Sequence, residues 1–246
     1  SLVGEAMPRL ADGEDRAARL ALSAARQAID QAGWGSLEGV GLVLSTTKAS
    51  IGLAQHVLQE RAAPEVLRGF PLFDLGARLA RELGTTGPVL TVSVACASGT
   101  AALAQADRWL RSGMCSRVLV VGVDALTEFV VQGFGTLRAL ARDRARPFDA
   151  NRTGLSPGEG ASALALSVDG TALATLAGTG GSNDANHITG PSRDGSGLAR
   201  AIRAALASAG LQPGEVVAVS AHGTATAYND AMEARAFESV FGPRGA

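Results

Sequence analysis

The chain is short of several things at once. In 246 residues it has two cysteines, a single lysine (Lys48), three histidines and one tyrosine, and aromatic residues are only 4% of the total. Two cysteines in unrelated surroundings, Cys96 and Cys115, exclude a disulfide framework and a zinc cluster and point to a reduced compartment. No apolar run approaches the length needed to cross a bilayer, and nothing N-terminal resembles a signal peptide. Neither sign of charge is in excess: 22 basic residues face 23 acidic ones, for a net charge of −1. With the basic residues scattered, no nucleic acid or membrane partner is expected. What is abundant is alanine and glycine, within an apolar share of 46%, which suits helices packed closely on a sheet. The expectation is a soluble, globular, cytoplasmic protein, with room for one large α/β domain or two small ones.

The most informative stretch is Pro88 to Thr100, PVLTVSVACASGT. Val89 to Ala95 is a run of β-branched and small apolar residues, the pattern of a strand buried on both faces. It passes without a linker into a helical segment with Leu103, Ala106 and Leu110 at helical spacing and Gly113 as the stop. Cys96 therefore stands where a strand turns into a helix. Ala95, Ala97, Ser98 and Gly99 around it leave room for a tight bend and a close ligand. The first turn of a helix presents free N–H groups and the positive end of the dipole, which favour thiolate over thiol. That is a nucleophile's position, but free cysteine is also among the most buried residue types. Both readings stand on this evidence. Cys115 has none of these features and reads as structural.

Along the chain, residues 1–14 are polar and irregular. Asp15 caps a helix with a face of Ala18, Leu22, Ala25 and Ile29 that ends at Gly33. Gly39 to Thr46 is a short buried strand, residues 54–59 and 74–83 are helical, and Arg117 to Val123 is a third apolar strand. Strands alternating with crossovers predict a parallel sheet. Residues 126–140 read as a helix weakened by Gly133 and Gly135. The charged segment 141–159 is too long to be a mere connector. Gly160 to Val168 and Thr171 to Thr179 read as strands around a turn at Asp169-Gly170. A loop over 180–196 holds His187. A helix from Leu198 to Ala209 ends at Gly210. A strand from Val216 to Ser220 follows, and then a helix near Asp230.

That last strand supplies a second candidate site. In open α/β sheets, ligands bind outside the carboxyl ends of strands, and here such an end delivers His222, followed by Gly223, Thr224 and Thr226. A histidine there can donate a hydrogen bond or act as a base, and the threonine hydroxyls can hold a polar ligand chain. Standing alone, it would read better as a histidine satisfied in the core. The same holds for His187, while His56 is expected to be solvated on a helix surface.

Four segments carry a resemblance: SVACASGT around Cys96, RPFDANRTGLSPGEGASAL at 146–164, SNDANHITGPSRDGSG at 182–197 and AHGTATAYNDAMEA at 221–234. In this order and spacing they resemble the motifs of the β-ketoacyl-acyl-carrier-protein synthases. The His-Gly-Thr-x-Thr form is similar to the elongating branch rather than to thiolases or initiating synthases. The resemblance implies a thiolase-like layered α/β fold with mostly parallel sheets and a buried nucleophile helix. It places an N-terminal half over 1–168 and the beginning of a C-terminal half over 169–246. It implies a homodimer, or a heterodimer with a related synthase, working on acyl carrier protein in fatty acid, polyketide or polyene assembly. By the same resemblance Cys96 takes the acyl group, His222 supports decarboxylation of malonyl carrier protein, and Thr224 and Thr226 contact the pantetheine arm. Phe134, within GFGTLRAL, lines the acyl pocket, and His187 shapes a nearby loop. Glu159 and Asp230 are structural. No metal and no dissociable cofactor is implied, since phosphopantetheine arrives on the carrier protein.

The chain also departs from the family pattern. The first, glycine-ended strand has no counterpart, and the downstream lysine, second histidine and closing glycine-rich strand are not in this sequence. What it offers is a Cys–His pair rather than a full triad. The sequence is thus expected to be a fragment of a longer synthase. The alternatives are a half completed by a partner polypeptide and a non-catalytic homologue. A cysteine hydrolase is the other enzyme class that a reactive Cys96 would suit.

Overall fold

The apolar run Gly41–Ser45 becomes an interior strand (β1) of a four-stranded sheet in a computed structural model that describes residues 14–187 and 190–243. All five of its residues are buried, as a strand covered on both faces requires. Val89–Val92 (β2) and Arg117–Asp124 (β3) flank it in parallel, and Gly160–Ser167 (β4) lies antiparallel to β3, with Asp124 opposite Gly160. The sheet order is β2-β1-β3-β4. Parallel neighbours need crossovers, and helices supply them: α1 (Arg16–Gln31) precedes β1, α2 (Ile51–Leu58) and α3 (Leu72–Leu83) join β1 to β2, and α4 (Ser98–Arg111) joins β2 to β3.

The two-residue period of β1 divides the core. Leu42 and Leu44 point to the side where Leu20, Ala21 and Ala25 of α1 and Leu75 and Leu79 of α3 pack. Val43 points to the other side, against Ala102, Ala106 and Trp109 of α4. Gly41 marks how close that approach is: a Cβ there would lie 3.0 Å from Cys115 Sγ and 3.1 Å from the Trp109 ring. Asp15 caps α1 by accepting the Ala18 N–H. The helix is rotated from the expected face, burying Ala17, Leu20, Ala21 and Ala25, while Ala18, Leu22 and Ile29 sit at the flanks. Alanines at 17, 21 and 25 let its backbone approach the sheet more closely than the larger side chains would.

By its internal contacts the chain forms two units. The first takes Gly158–Leu173 together with the described residues up to Val131; the second takes Gln132–Pro157 and the described residues from Ala174 onward. The sheet and α1–α4 belong to the first, and α5 (Glu128–Thr136) carries the chain into the second. In the second unit α6 (Ser196–Ala209) packs on α7 (Ala227–Phe241). The segment before α6 runs against it so closely that a Cβ at Gly180 would sit 2.2 Å from the Ala201 carbonyl oxygen.

Three expectations are corrected. The strand at 89–95 is not buried on both faces: it ends at Val92 and lies at the sheet edge, with Val89 41% exposed and Leu90 exposed too. Thr171 to Thr179 forms no strand, because β4 takes β3 as its antiparallel partner and no hairpin closes at Asp169-Gly170. Val216 to Ser220 forms none either, and Val217 is wholly exposed. A strand is defined by its neighbour, and neither segment has one among the described residues.

Candidate active site

Between the end of β2 and the start of α4 the backbone makes a tight turn over 93–97. Ala95 adopts φ 48°, a left-handed conformation that L-residues with a Cβ rarely accept. The Ala97 N–H donates to the Val94 carbonyl at 3.1 Å, and the Ser98 N–H to the Ala95 carbonyl at 3.1 Å. The Ser98 side chain, 4% exposed, accepts the Val94 N–H at 2.8 Å and donates to the Ala95 carbonyl at 2.6 Å. Cys96 sits at the crest and is exposed, two residues before α4, whose cap residue Ala97 offers no side-chain acceptor. The core-residue reading therefore does not describe Cys96. It describes Cys115, which is 5% exposed and whose thiol burial pushes up.

Cys96 opens onto a cavity of about 380 Å³ that Thr46, Thr47, Ser98, Asp124 and Ser162 also line. It lies at the carboxyl ends of β1 and β3, where ligands of open α/β sheets are found. Its floor is polar and tied together. Asp124 Oδ1 accepts the Thr46 hydroxyl at 3.1 Å, and the Thr47 N–H and hydroxyl at 2.9 Å each. Lys48 Nζ donates to Thr47 Oγ1 at 3.0 Å. Sequence reasoning passed over Asp124; the signal was an acidic residue closing an otherwise apolar strand at its carboxyl end.

The remaining predicted site residues, His222, Thr224, Thr226 and Phe134, belong to the second unit. His222 is exposed, and its backbone is held by a side chain the sequence reading missed. Glu233 of α7, 3% exposed, accepts the His222 N–H through Oε1 at 2.7 Å. Through Oε2 it accepts the Gly223 N–H and Asn229 Nδ2, each at 2.8 Å. Gly223 takes φ 54°, and a Cβ there would press on Pro147 at 3.3 Å. Thr224 and Thr226 share a hydroxyl–hydroxyl bond at 2.9 Å.

The charged segment expected to be more than a connector wraps onto this turn. The Phe148 N–H donates to buried Asp230 at 2.7 Å, and Arg152 reaches the Thr226 and Ala227 carbonyls at 3.2 and 2.8 Å. The i, i+3 spacing of Asp230 and Glu233, which puts both carboxylates on one helix face, was the available signal. Glu159, assigned to structure, is buried in the first unit against Arg16 and accepts the Leu126 N–H at 3.1 Å.

Phe134 is half-buried on α5, and His187 is exposed in the loop that precedes α6. Two carboxylates accept backbone N–H groups among its described residues. The Ser192 and Asn186 N–H groups hold Asp184 below the usual carboxylate range. The Ser196 N–H, followed by the Ser192 hydroxyl, lowers Asp194 to about 2. His56, expected to be solvated, is half-buried on α2. Among the described residues no cluster of three or more His, Cys, Asp or Glu could hold a metal ion, and no helix is long and apolar enough to cross a membrane.

Two family models match the chain: "Beta-ketoacyl synthase, N-terminal domain" over residues 2–172 and "Beta-ketoacyl synthase, C-terminal domain" over 173–246. Nodulation protein E of Rhizobium meliloti is 37% identical over 247 residues, covering 93% of this chain. The chain spans 61% of that relative's length. A 3-oxoacyl-[acyl-carrier-protein] synthase 2 of Staphylococcus aureus is 33% identical over 192 residues, which is 73% of this chain and 46% of the relative. Among solved structures, the ketosynthase ApeO in complex with its chain length factor ApeC, from Xenorhabdus doucetiae, superposes with a TM-score of 0.86 at 29% identity. That match covers 99% of this chain and 65% of the other.

Proposed function

The chain belongs to the β-ketoacyl synthase family, and on that footing we propose that it carries the nucleophile half of a decarboxylative Claisen condensation. Cys96 thiolate attacks the carbonyl of an acyl thioester borne by a carrier protein. The tetrahedral intermediate collapses, the pantetheine sulfur leaves and takes up a proton, and the acyl group is now on Cys96. Malonyl carrier protein then loses carbon dioxide. The carbanion left behind attacks the acyl-Cys96 carbonyl, forming the new C–C bond and returning the Cys96 thiolate. His222 serves the second step by donating a hydrogen bond to the malonyl thioester oxygen as enolate charge develops. Thr224 and Thr226 hold the pantetheine arm, and Phe134 lines the acyl pocket. The pantetheine comes with the substrate, so no resident cofactor or metal takes part.

One observation carries this reading: Cys96 is exposed on a left-handed turn just before a helix, facing a cavity large enough for a thioester. Partnering with a second synthase chain is part of the proposal. The outer side of β2, with Val89 and Leu90 exposed and Val94 exposed just beyond its end, is an open strand edge of the kind a second chain covers. The pathway proposed is fatty acid or polyketide assembly, in the cytoplasm. The test is intact-protein mass spectrometry before and after incubation with an acyl-carrier-protein thioester, with Cys96→Ala alongside. An acyl-sized increase that vanishes in Cys96→Ala supports the nucleophile role. No increase assigns the chain to the alternative, a non-catalytic homologue or half-subunit paired with a complete synthase.

A further inference from the structure

We propose that Ser98 is the positioning residue of the nucleophile: its buried hydroxyl locks the left-handed turn that presents Cys96, and so sets the thiol's reactivity. This rests on the reading of Cys96 as nucleophile.

Three observations support it. Ser98 Oγ accepts the Val94 N–H at 2.8 Å and donates to the Ala95 carbonyl at 2.6 Å, so one hydroxyl grips both ends of the peptide pair leading into Cys96. Ala95, between those two bonds, stands at φ 48°, a conformation that an alanine keeps only when its surroundings impose it. Ser98 is 4% exposed, while Ala95, Cys96 and Ala97 around it are exposed, so packing of side chains in this chain cannot impose that turn. Two backbone bonds close the turn from the helix side, Ala97 N–H to the Val94 carbonyl and Ser98 N–H to the Ala95 carbonyl, and the Ser98 hydroxyl is the side-chain group that adds to them, engaging the Val94 N–H and the Ala95 carbonyl together. The two bonds also run across the loop rather than along the helix, and the Ser98 side chain leaves the capping of α4 undone. Its role is therefore to fix the turn rather than to strengthen the helix.

Removing the hydroxyl lets Ala95 relax toward negative φ, and Cys96 then swings away from the start of α4 and the donors it presents. The experiment follows alkylation of Cys96 by iodoacetamide against pH in the full chain, located by peptide mapping. Ser98→Ala is expected to slow alkylation about tenfold at pH 7 and raise the midpoint of the pH–rate profile by about one unit, the two being equivalent. Adding Ala95→Gly to Ser98→Ala restores most of the rate, because glycine takes the left-handed conformation without a staple. Ser98→Thr, which keeps the hydroxyl, retains the wild-type profile and decides the case if Ser98→Ala does not fold. Ser112→Ala removes a hydroxyl bonded to the Trp109 carbonyl at the far end of α4 and leaves the profile unchanged.

A wild-type profile in Ser98→Ala, or a loss that Ala95→Gly does not restore, overturns the proposal, as does a tenfold loss in Ser98→Thr. If wild-type Cys96 itself reacts no faster than cysteine in an unstructured peptide, the nucleophile reading fails, and that result is read before any variant is made.

Discussion

Replacing Glu233 with glutamine removes a charge and one acceptor from the turn that carries His222 while leaving the shape of the side chain almost unchanged. The carboxylate divides its work: Oε1 accepts the His222 N–H, and Oε2 accepts the Gly223 N–H and Asn229 Nδ2. A glutamine has one oxygen, so its NH₂ must face either the His222 N–H or the Gly223 and Asn229 donors. At least one backbone donor then loses its acceptor at a site where the side chain is 3% exposed. A hydrogen bond to a charged group is worth about 1.5–3 kcal/mol, and an unpaired buried donor is expensive. We expect a loss of about 3 kcal/mol, or about 6–12 °C in the midpoint of thermal unfolding for a chain of this size. Differential scanning calorimetry with circular dichroism reads this directly. Glu238→Gln, on an exposed position of the same helix, should stay within about 0.5 kcal/mol of wild type. A midpoint shift below about 2 °C in Glu233→Gln would mean that water replaces the carboxylate, and the staple argument for this turn would be wrong.

Cys96→Ser should abolish labelling by a thiol-directed electrophile at neutral pH, while Cys115→Ser leaves it intact, since burial keeps Cys115 as an inaccessible thiol; equal labelling of both would refute the assignment. His222→Ala should still accept an acyl group on Cys96 yet release no carbon dioxide from malonyl carrier protein, as followed by mass spectrometry and labelled carbon dioxide. Loss of acylation itself would give His222 another role. The loop segment held by Asp194, over 190–195, should open in acid before α6 unravels. Asp194 sits at about 2 when folded, against an ordinary 3.8, so its contribution is present above about pH 3.8 and is lost as pH falls through about 2. Limited proteolysis by pepsin should show a cleavage in this loop whose onset moves to higher pH in Asp194→Asn; identical onsets would rule the carboxylate out.

The elements that the sequence made legible are those whose signal is local and whose partners lie within the described chain. Gly41–Ser45 and Arg117–Asp124 are apolar on both faces and are buried on both. Asp15 announced its helix and caps it, and Gly210 ends α6 in the left-handed conformation where it was expected. Val89–Val92 and the segments 171–179 and 216–220 all carry β-branched residues, yet the first lies at an edge and the other two have no ladder among the described residues. Composition reports that a segment can be a strand; only a neighbour makes it one. The polar residues that organise the two turns were illegible for a related reason. Ser98 and Glu233 look like ordinary helix residues until the fold brings them against backbone donors that precede them, at separations of 4 and 10–11 residues.

The two turns share a device, and the device explains why exposed side chains can be precise. Cys96 and His222 both lie on irregular backbone before a helix, and both are exposed. In each case the following helix sends one buried polar group back across the bend: the Ser98 hydroxyl from the first turn of α4 and the Glu233 carboxylate from the second turn of α7. Backbone that cannot pair in a ladder still needs partners for its N–H groups. Meeting that need from the helix side fixes the peptide while leaving the side chain exposed. The acyl transfer proposed for Cys96 needs this division, because the reacting atoms have to be reachable by a large substrate while the main-chain donors around them stay fixed. The same division makes the turns separable by mutation. Loss of the staple should change reactivity and local order before it changes the fold, whereas substitutions in the β1 core should do the reverse.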